Sequence, residues 1–404
     1  MSKKTRRPAR RGIVTRLFSM MLGLIVAAAI VLSMQLPFAH ERATYRFTGR
    51  THVATGVALP VAWPTNGSAA IDIPALGVTR SWHNTVVPIA SLTKLMTAYV
   101  VLKKFPLALG GTGPCITVTN AQVLDYEQEK TADESAVIVE EGESLCEITL
   151  LDGMLVHSAA NYADILETMV SASPADFVTL MNRTAASLGL RHTHYADDAG
   201  ISNDSVSTAL EQAKLAALLM KSPLVRSIVA QSSVDLPVSG YENSFTPFVG
   251  LDHVVGVKSG RTSAAGGCDV LALAFRQGGR ERIVYAVVLG QRGGDLLGPA
   301  GDAALALAQS ALDLRYVHTF AEGTVLGYVG FGHHDVPFAL ARTSHFYVWG
   351  DPSGPAVKWR MRTLTTSIRR GEVVGWLLVG GVTRPLALVA QRSIAQPTLW
   401  KRIT

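Results

Sequence analysis

Hydrophobic and polar positions divide the chain into three regions with different patterns. Residues 17–38 form an uncharged apolar run, residues 67–315 mix helical and strand-like periodicities, and residues 316–404 contain only short apolar segments between glycine turns. Apolar residues that recur every three to four positions indicate helices, whereas alternation or a short apolar run indicates strands. The pattern therefore predicts an N-terminal apolar segment, a mixed α+β body and a small all-β domain.

The elements of the body follow from the same periodicities. In chain order the pattern predicts strands over 69–73 and 78–82, helices over 91–104, 150–170, 174–188 and 207–220, strands over 254–275 and 282–290, and a helix over 300–314. The helical pattern of residues 150–170 is interrupted at 157–159. Helical and strand segments are interspersed along this part of the chain, which is typical of a sheet covered by helices.

The helical periodicity ends after Tyr316. Short segments rich in Val, Leu, Tyr and Trp follow, at 324–329, 346–349, 373–379 and 386–389. Such segments between glycine turns predict a small β domain at 316–404, folded as a sandwich. The polar residues 39–66 are predicted to be a linker that leads into the body at 67–315.

The apolar run at 17–38 follows a basic tail at 1–16. At ~1.5 Å per residue, 22 helical residues extend about 33 Å, which is enough to cross a membrane once. Basic residues before the run predict that the tail stays in the cytoplasm and the body lies on the outer side. The alternative is a signal peptide that is cleaved after export. Both interpretations place the body outside the cytoplasm.

Composition and charge narrow the function classes. A chain of 404 residues with 48% hydrophobic residues is long enough for two domains and too apolar to be disordered. The net charge is +6, but the tail before residue 17 holds seven basic and no acidic residues, so the remaining chain carries one net negative charge. A near-neutral body gives no support for binding nucleic acid.

The chain has three cysteines, and two of them allow two interpretations in an exported protein. Cys115 and Cys146 each begin a strand-like segment, and they form either a disulfide or two unpaired small side chains. Cys268 lies in an apolar strand, where a buried packing role is expected.

Ser91-Leu-Thr-Lys94 opens the helix predicted at 91–104. Residues three positions apart share one helix face, so the amine of Lys94 can take a proton from the hydroxyl of Ser91. The start of a helix also directs backbone N–H groups at an oxyanion. The alternative is a helix-capping serine followed by an exposed lysine.

Lys258-Ser259-Gly260 lies at the start of a strand far downstream. Adjacent strand residues point to opposite faces, and the glycine leaves room for a peptide along the strand. Alone, this motif is better explained by a polar strand start followed by a glycine turn.

Taken together, Ser91-x-x-Lys94, Ser158 and Lys258-Ser259-Gly260 resemble, in order and spacing, the three motifs of penicillin-binding proteins and serine β-lactamases. The surrounding segments at 88–98, 153–158, 194–200, 207–209 and 256–266 resemble the low-molecular-weight, serine-type D-alanyl-D-alanine carboxypeptidases over residues 65–312. The resemblance implies a penicillin-binding-protein or serine β-lactamase-like transpeptidase domain, α/β (α+β) in class. Its central antiparallel sheet is flanked by helices, and a small C-terminal all-β domain follows.

The resemblance also implies a mechanism without metal or cofactor. Ser91 attacks the carbonyl of the penultimate D-alanine of a peptidoglycan stem peptide, Lys94 acts as base and Ser158 transfers protons. Lys258 and Ser259 hold the terminal carboxylate, with Arg261 as a helper, and Gly260 leaves room for the substrate peptide on the same strand. Backbone N–H groups of Ser91 and Arg261 hold the oxyanion. β-Lactams would then be covalent inhibitors.

One motif departs from the family. Where the family has Ser-x-Asn, the chain reads Ser158-Ala159-Ala160-Asn161, so the asparagine comes one residue late. One residue is about 100° of rotation on a helix. Asn161 is still the expected substrate-binding amide, but an impaired paralogue that only binds peptidoglycan is the alternative.

Two further functions are disfavoured by the sequence. A β-lactamase needs a glutamate for deacylation, and no Glu-x-x-x-Asn follows Ser158. His157, His192 and His194 have no carboxylate or cysteine at ligand spacing, so no metal site is expected.

Overall fold

The structure is a computed structural model of the 404-residue chain. It describes residues 18–26, 42–49, 53–55, 61–132, 134–277, 279–313, 315–331, 334–349, 356–365, 367–380 and 384–395. The chain divides into two compact units. The larger unit comprises His52–Thr319 and His345–Ala356, and the smaller unit comprises Met1–Thr51, Phe320–Ser344 and Val357–Thr404.

Nine α-helices lie within the described residues. They are α1 (residues 18–26), α2 (Lys94–Lys104), α3 (Asn120–Thr131), α4 (Glu147–Asp152), α5 (Ala160–Val170), α6 (Pro174–Ser187), α7 (Ala209–Leu219), α8 (Pro223–Val229) and α9 (Leu297–Asp313).

The strands of the two units are β1 (Thr44–Phe47), β2 (Val53–Thr55), β3 (Ser68–Ile73), β4 (Val78–Trp82), β5 (Val87–Pro88), β6 (Cys115–Thr117), β7 (Ser144–Cys146), β8 (Val206–Ser207), β9 (Ser233–Leu236), β10 (Gly240–Asn243), β11 (Val254–Thr262), β12 (Gly266–Gln277), β13 (Arg280–Gln291), β14 (Arg315–Phe320), β15 (Val325–Phe331), β16 (His334–Leu340), β17 (Ser344–Trp349), β18 (Val357–Met361), β19 (Val373–Val379) and β20 (Leu386–Ala390).

The larger unit is built around a five-stranded antiparallel sheet in the order β11-β12-β13-β3-β4. Side chains alternate across a strand, so the two faces of this sheet have separate cores. Ile71, Leu271 and Val288 pack against α9, whereas Ala70, Ala272 and Val287 pack against the helices α2–α8. The sheet with helices on both faces confirms the predicted fold, and it leaves β11 at an edge.

Local signals in the sequence explain where several helices begin. Thr119 and Gln122 form a capping box at the start of α3. Ser173, Thr208 and Ser222 each accept a backbone N–H at the start of α6, α7 and α8. The helices α3 and α8 were not among the predicted elements, although their caps are visible in the sequence.

The smaller unit contains a six-stranded antiparallel sheet in the order β1-β15-β16-β20-β19-β18. Its core includes Phe331, Phe338 and Leu388, which are buried. The all-β composition agrees with the sequence pattern. The other two strands of the predicted range, β14 and β17, belong to a three-stranded sheet with β2, and the sandwich stays a prediction.

The boundaries predicted from composition differ from the units of the structure. Part of the predicted linker 39–66 forms strands: β1 joins the sheet of the smaller unit, and β2 pairs with β14 in a three-stranded sheet with β17. Residues His345–Ala356, predicted to lie in the β domain, belong to the larger unit. These strands pair with strands that are far away in the sequence, and local periodicity does not indicate such long-range pairing.

Only residues 18–26 of the apolar run at 17–38 are described, and they are helical and exposed. The rest of that run and the basic tail lie outside the described residues. No helix within the described part of the chain is both long and apolar enough to cross a membrane.

The structure joins Cys115 and Cys146 by a disulfide. The two residues are opposite each other in the pair β6–β7. Cys268 is a free cysteine buried in β12, and burial raises the pKa of its thiol to about 12. It is therefore a packing residue and not a reactive thiolate at neutral pH.

Candidate active site

Ser91 lies in a 3₁₀ turn, Ala90–Thr93, directly before α2. Lys94 is the first residue of α2, and its Nζ donates to Ser91 Oγ at 3.3 Å and to the carbonyl of Ala199 at 2.8 Å. The lysine is 1% exposed. The spacing of three residues thus brings a buried amine within reach of a hydroxyl, as the sequence predicts.

Burial and the nearby acids act in opposite directions on the pKa of Lys94, and the effect of burial is the larger. Burial lowers the pKa of Lys94 below its usual value, while the charges of Asp198, Asp197, Glu129 and Asp164 oppose that shift. The opposition is weakened because burial itself raises the pKa of Asp198 well above its usual value and the pKa of Glu129 to about 9. An amine with a lowered pKa can accept a proton at a lower pH than an exposed lysine.

Two glycines allow other segments to approach the serine turn closely. A Cβ on Gly260 would lie 2.6 Å from the backbone nitrogen of Ser91. A Cβ on Gly200 would overlap the carbonyl oxygen of Ala90, and Gly200 also has a left-handed backbone, φ +81°. The absence of side chains at these two positions thus lets β11 and the loop after Ala199 lie directly against the turn that carries Ser91.

Ser158 follows a π-helical turn, Gly153–His157, and precedes α5. Its backbone is left-handed, with φ 68° and ψ 23°, and the side chain is 4% exposed. A left-handed serine between two helical segments is uncommon and is a backbone arrangement often found at functional sites. The interruption of the helical pattern at 157–159 marks this turn in the sequence.

Lys258, Ser259 and Gly260 lie on β11 at the edge of the sheet. The Lys258 amine donates to the carbonyl of Ser259 at 2.8 Å, and the Ser259 hydroxyl donates to the carbonyl of Phe245 at 2.7 Å. Burial, and then the charge of Lys94, lower the pKa of Lys258 well below its usual value. Burial likewise raises the pKa of Asp269 on the neighbouring strand, so both buried groups favour their neutral forms.

A cavity of about 540 Å³ brings these residues together. Its lining includes Ser91, Lys94, Ser158, Ser259, Gly260 and Arg261. Lys258 lies behind the lining, fully buried. A cavity of about 610 Å³ lined by Asp72, Lys214 and Tyr285 contains none of the predicted site residues.

Asn161, like Lys258, is a predicted site residue that is absent from the lining of this cavity. It is 1% exposed; its Oδ1 accepts the N–H of Val137 at 3.0 Å and its Nδ2 donates to the carbonyl of Val137 at 2.7 Å. Both ends of the amide are therefore used by one backbone residue. The methyl group of Ala160 lines the cavity instead, as expected from the rotation between adjacent helix positions.

We expect Asn161→Ala to lower the free energy of unfolding by about 2 to 4 kcal/mol. The substitution leaves a buried N–H and a buried carbonyl of Val137 without partners, and each costs about 1 to 3 kcal/mol. Urea denaturation measures the change, and Asn203→Ala, at an exposed position, serves as the control with an effect below about 0.5 kcal/mol. Equal stability of the two variants would contradict a structural role for Asn161.

The histidines considered for a metal site have other neighbours. His157 Nδ1 lies 3.4 Å from Glu242 Oε2, and His192 Nδ1 lies 3.1 Å from Glu211 Oε1. Among the residues that the structure describes, no group of three His, Cys, Asp or Glu side chains is arranged to hold a metal ion.

The sequence motifs did not identify two acids of the site. Glu134 lines the cavity from the loop after α3. Asp269 is opposite Ser259 in the pairing of β11 with β12, and it is fully buried. A charged residue within the apolar run 267–275 was a visible signal for Asp269, whereas nothing local distinguishes Glu134 from other loop acids.

The fold and the site are those of a serine peptidase. The sequence profile of one peptidase family, described as D-alanyl-D-alanine carboxypeptidase, matches residues 78–293, more than half of the chain. The chain belongs to this family. The predicted recognition is thereby confirmed.

Relatives with known names agree with this assignment. The chain is 28% identical over 256 residues to a D-alanyl-D-alanine endopeptidase of Escherichia coli, covering 60% of the chain and 76% of that protein. It is 27% identical over 244 residues to a D-alanyl-D-alanine carboxypeptidase of Streptomyces, covering 56% of the chain and 81% of that protein.

Solved structures support the fold. Penicillin-binding protein 5 of Haemophilus influenzae matches with a TM-score of 0.59 and 18% identity, covering 84% of this chain and all of that one. The Streptomyces K15 DD-transpeptidase matches with a TM-score of 0.54 and 21% identity, covering 63% of this chain and 98% of that one.

Proposed function

We propose that the protein is a D-alanyl-D-alanine carboxypeptidase that removes the terminal D-alanine from peptidoglycan stem peptides, and that penicillins acylate it at Ser91. The observation that carries this proposal is the 3.3 Å contact between Lys94 Nζ and Ser91 Oγ in a cavity that also contains Ser158 and Ser259. A hydroxyl next to a buried amine is a nucleophile with its own base.

In the acylation step, neutral Lys94 takes the proton of Ser91 as Oγ attacks the carbonyl carbon of the penultimate D-alanine. The C–N bond to the terminal D-alanine breaks, and the leaving amine receives a proton through Ser158, which faces the same cavity. The products are an ester on Ser91 and free D-alanine. Water, activated by the same base, then hydrolyses the ester.

The far wall of the cavity provides groups for the terminal carboxylate. The hydroxyl of Ser259 and the guanidinium of Arg261 lie along β11, and the buried Lys258 amine lies behind them. Gly260 lets this strand approach the serine turn, so a peptide extended along β11 would present its carbonyl to Ser91. Backbone N–H groups of Ser91 and Arg261 would stabilise the oxyanion.

Substrates of this class lie outside the cytoplasm, in agreement with the predicted export of the body. We propose that residues 17–38 hold the protein to the membrane by a single span, with a secreted form after signal cleavage as the alternative.

The experiment that tests the proposal is labelling of the purified protein with a fluorescent penicillin. We expect one covalent adduct by intact mass, located at Ser91 by peptide mapping, and none in Ser91→Ala. A thermal melt of both samples establishes that they are folded. A folded wild-type sample without an adduct would overturn the proposal.

The reaction itself is distinguished by two substrates. A stem pentapeptide reports carboxypeptidase activity through the release of D-alanine, and a cross-linked peptide dimer reports endopeptidase activity through the appearance of monomers. The second assay is warranted because the E. coli relative is named an endopeptidase. We expect the pentapeptide to be hydrolysed faster.

An impaired, peptidoglycan-binding paralogue is the second candidate. Ala160 supports it, because this methyl group lines the cavity where the family has an amide. Binding of pentapeptide with neither an adduct nor D-alanine release would favour this candidate. Removal of one polar group typically lowers the rate by about 10² to 10³ without abolishing it, so we expect measurable turnover.

A further inference from the structure

The cavity of the candidate site carries charges of opposite sign on its two walls. Arg261 lies on the wall formed by β11, and Glu134 lies on the wall formed by the loop after α3. Lys94 is the third charged residue of the lining and lies buried beside Ser91. Glu134 is thus the only acid among the described residues that line this cavity.

A backbone hydrogen bond fixes the position of Glu134, and its carboxylate has no protein partner among the described residues. The N–H of Glu134 donates to the carbonyl of Glu129 at 3.0 Å, which holds the loop to the end of α3. The side chain is half-buried, and within the described residues it has no salt bridge or hydrogen bond. Burial raises the pKa of Glu134, the charge of Lys94 opposes that rise, and the charges of Asp164 and Asp197 add to it.

With Ala160 at the start of α5, Glu134 is the charged group of this wall. The N–H of Ala160 donates to the carbonyl of Ser135 at 2.7 Å, so the start of α5 is bonded to the residue next to Glu134. At this point α5 presents only a methyl group to the cavity, because the amide of Asn161 is turned to Val137. A ligand that reaches this corner therefore meets the Glu134 carboxylate and the short side chains of Ala160 and Ser135.

The groups on the two walls determine the orientation in which a peptide substrate lies in the cavity. A terminal carboxylate is attracted to Ser259 and Arg261 on β11, and the scissile carbonyl has to reach Ser91. The acyl part of the peptide, on the other side of the scissile bond, therefore extends towards the wall of Ser158, Ala160 and Glu134.

We propose that Glu134 is a specificity-determining residue that selects substrates bearing an ammonium group on the acyl side of the scissile bond. The inference rests on the proposed function, because it takes its substrate direction from that reaction. A half-buried carboxylate without a protein partner loses hydration when any ligand covers it. A neutral ligand leaves that cost uncompensated, whereas a cationic ligand provides an ionic partner.

The test compares three penicillins that differ at one position of the side chain. Ampicillin carries an α-ammonium group, benzylpenicillin is neutral there, and carbenicillin carries an α-carboxylate. The second-order rate constant of acylation is measured for each by competition with a fluorescent penicillin. We expect the ratio of ampicillin to benzylpenicillin to fall about three- to tenfold in Glu134→Gln relative to the wild type, consistent with a partly exposed charge pair.

A charge-reversing variant separates a change in specificity from a loss of folded protein. Misfolding would lower all three rate constants together, whereas a reversed charge should change their ratios. In Glu134→Lys we expect the ratio of the acylation rate constants of carbenicillin and benzylpenicillin to rise, and the ratio of ampicillin to benzylpenicillin to fall. Glu141→Gln is the matched control, because it removes the same charge from an exposed turn outside the cavity. We expect all three ratios in that control to equal those of the wild type.

The outcomes separate the proposal from its alternatives. Unchanged ratios in both Glu134 variants would overturn it. So would an equal loss for all three penicillins, which would show that Glu134 acts through Lys94 on the acylation step. An absence of acylation by every penicillin in the wild-type protein would instead reject the proposed function, which the labelling experiment detects separately.

Discussion

Replacing Lys94 with methionine should lower the rate of acylation by penicillin by about 10³-fold or more. The lysine amine, 3.3 Å from Ser91 Oγ, is the base in the proposed mechanism, and removal of a positioned general base typically costs about 10² to 10⁴ in rate. Methionine matches the length of the buried side chain and removes the charge. The measurement is the rate of adduct formation by intact mass over a range of penicillin concentrations.

The pH dependence gives this prediction a second readout. Only the neutral amine can accept the proton of Ser91, so wild-type acylation should rise with pH as Lys94 loses its proton. Because burial lowers the pKa of Lys94, the rise should occur at a lower pH than for an exposed lysine. The residual reaction of Lys94→Met should lack this rise.

The control for Lys94 is Lys104→Met, at an exposed position in the last turn of the same helix. We expect it to be acylated at the wild-type rate. If Lys94→Met retained the wild-type rate and pH profile, the base would have to be another residue.

Gly260→Ala should lower acylation by about 10²-fold while leaving the protein folded. The added Cβ would lie 2.6 Å from the nitrogen and 3.1 Å from the Cα of Ser91, and neither backbone atom can rotate away. Strand β11 is held in register by β12, so the turn that carries Ser91 has to move. Displacements of this size at a reacting group can cost about 10² in rate.

Gly142→Ala is an informative control for this variant. Gly142 has a left-handed backbone, φ +87°, and open space around its Cβ position. We expect this variant to lose about 1 kcal/mol of stability and none of the acylation rate, whereas Gly260→Ala should lose acylation rate in addition to stability. The two effects are measured by urea denaturation and intact mass. Equal acylation of both variants would show that the serine turn accommodates the extra methyl.

Local sequence patterns predicted the sheet, most of the helices and the pair Ser91 and Lys94. These depend on residues a few positions apart, which share a face through the 3.6-residue or two-residue period. The pattern also located the break before Ser158, although it did not indicate the left-handed backbone there.

Local sequence patterns did not predict the features that depend on tertiary contacts. The amide of Asn161 is turned away by its helix position and held by Val137, a residue 24 positions earlier. Glu134 reaches the cavity only because its loop is bonded to the start of α5. The strand β1 lies in the predicted linker because its partner, β15, is about 280 residues later.

The order of the units along the chain has a consequence for folding during synthesis. The first strand of the smaller unit, β1, precedes the larger unit, and the other five strands of its sheet follow most of it. The larger unit is thus inserted into the smaller one, and β2 pairs with β14 where the chain enters and leaves it. As translation proceeds, most of the larger unit can fold first, whereas β1 has to wait, unpaired, for a partner translated about 280 residues later.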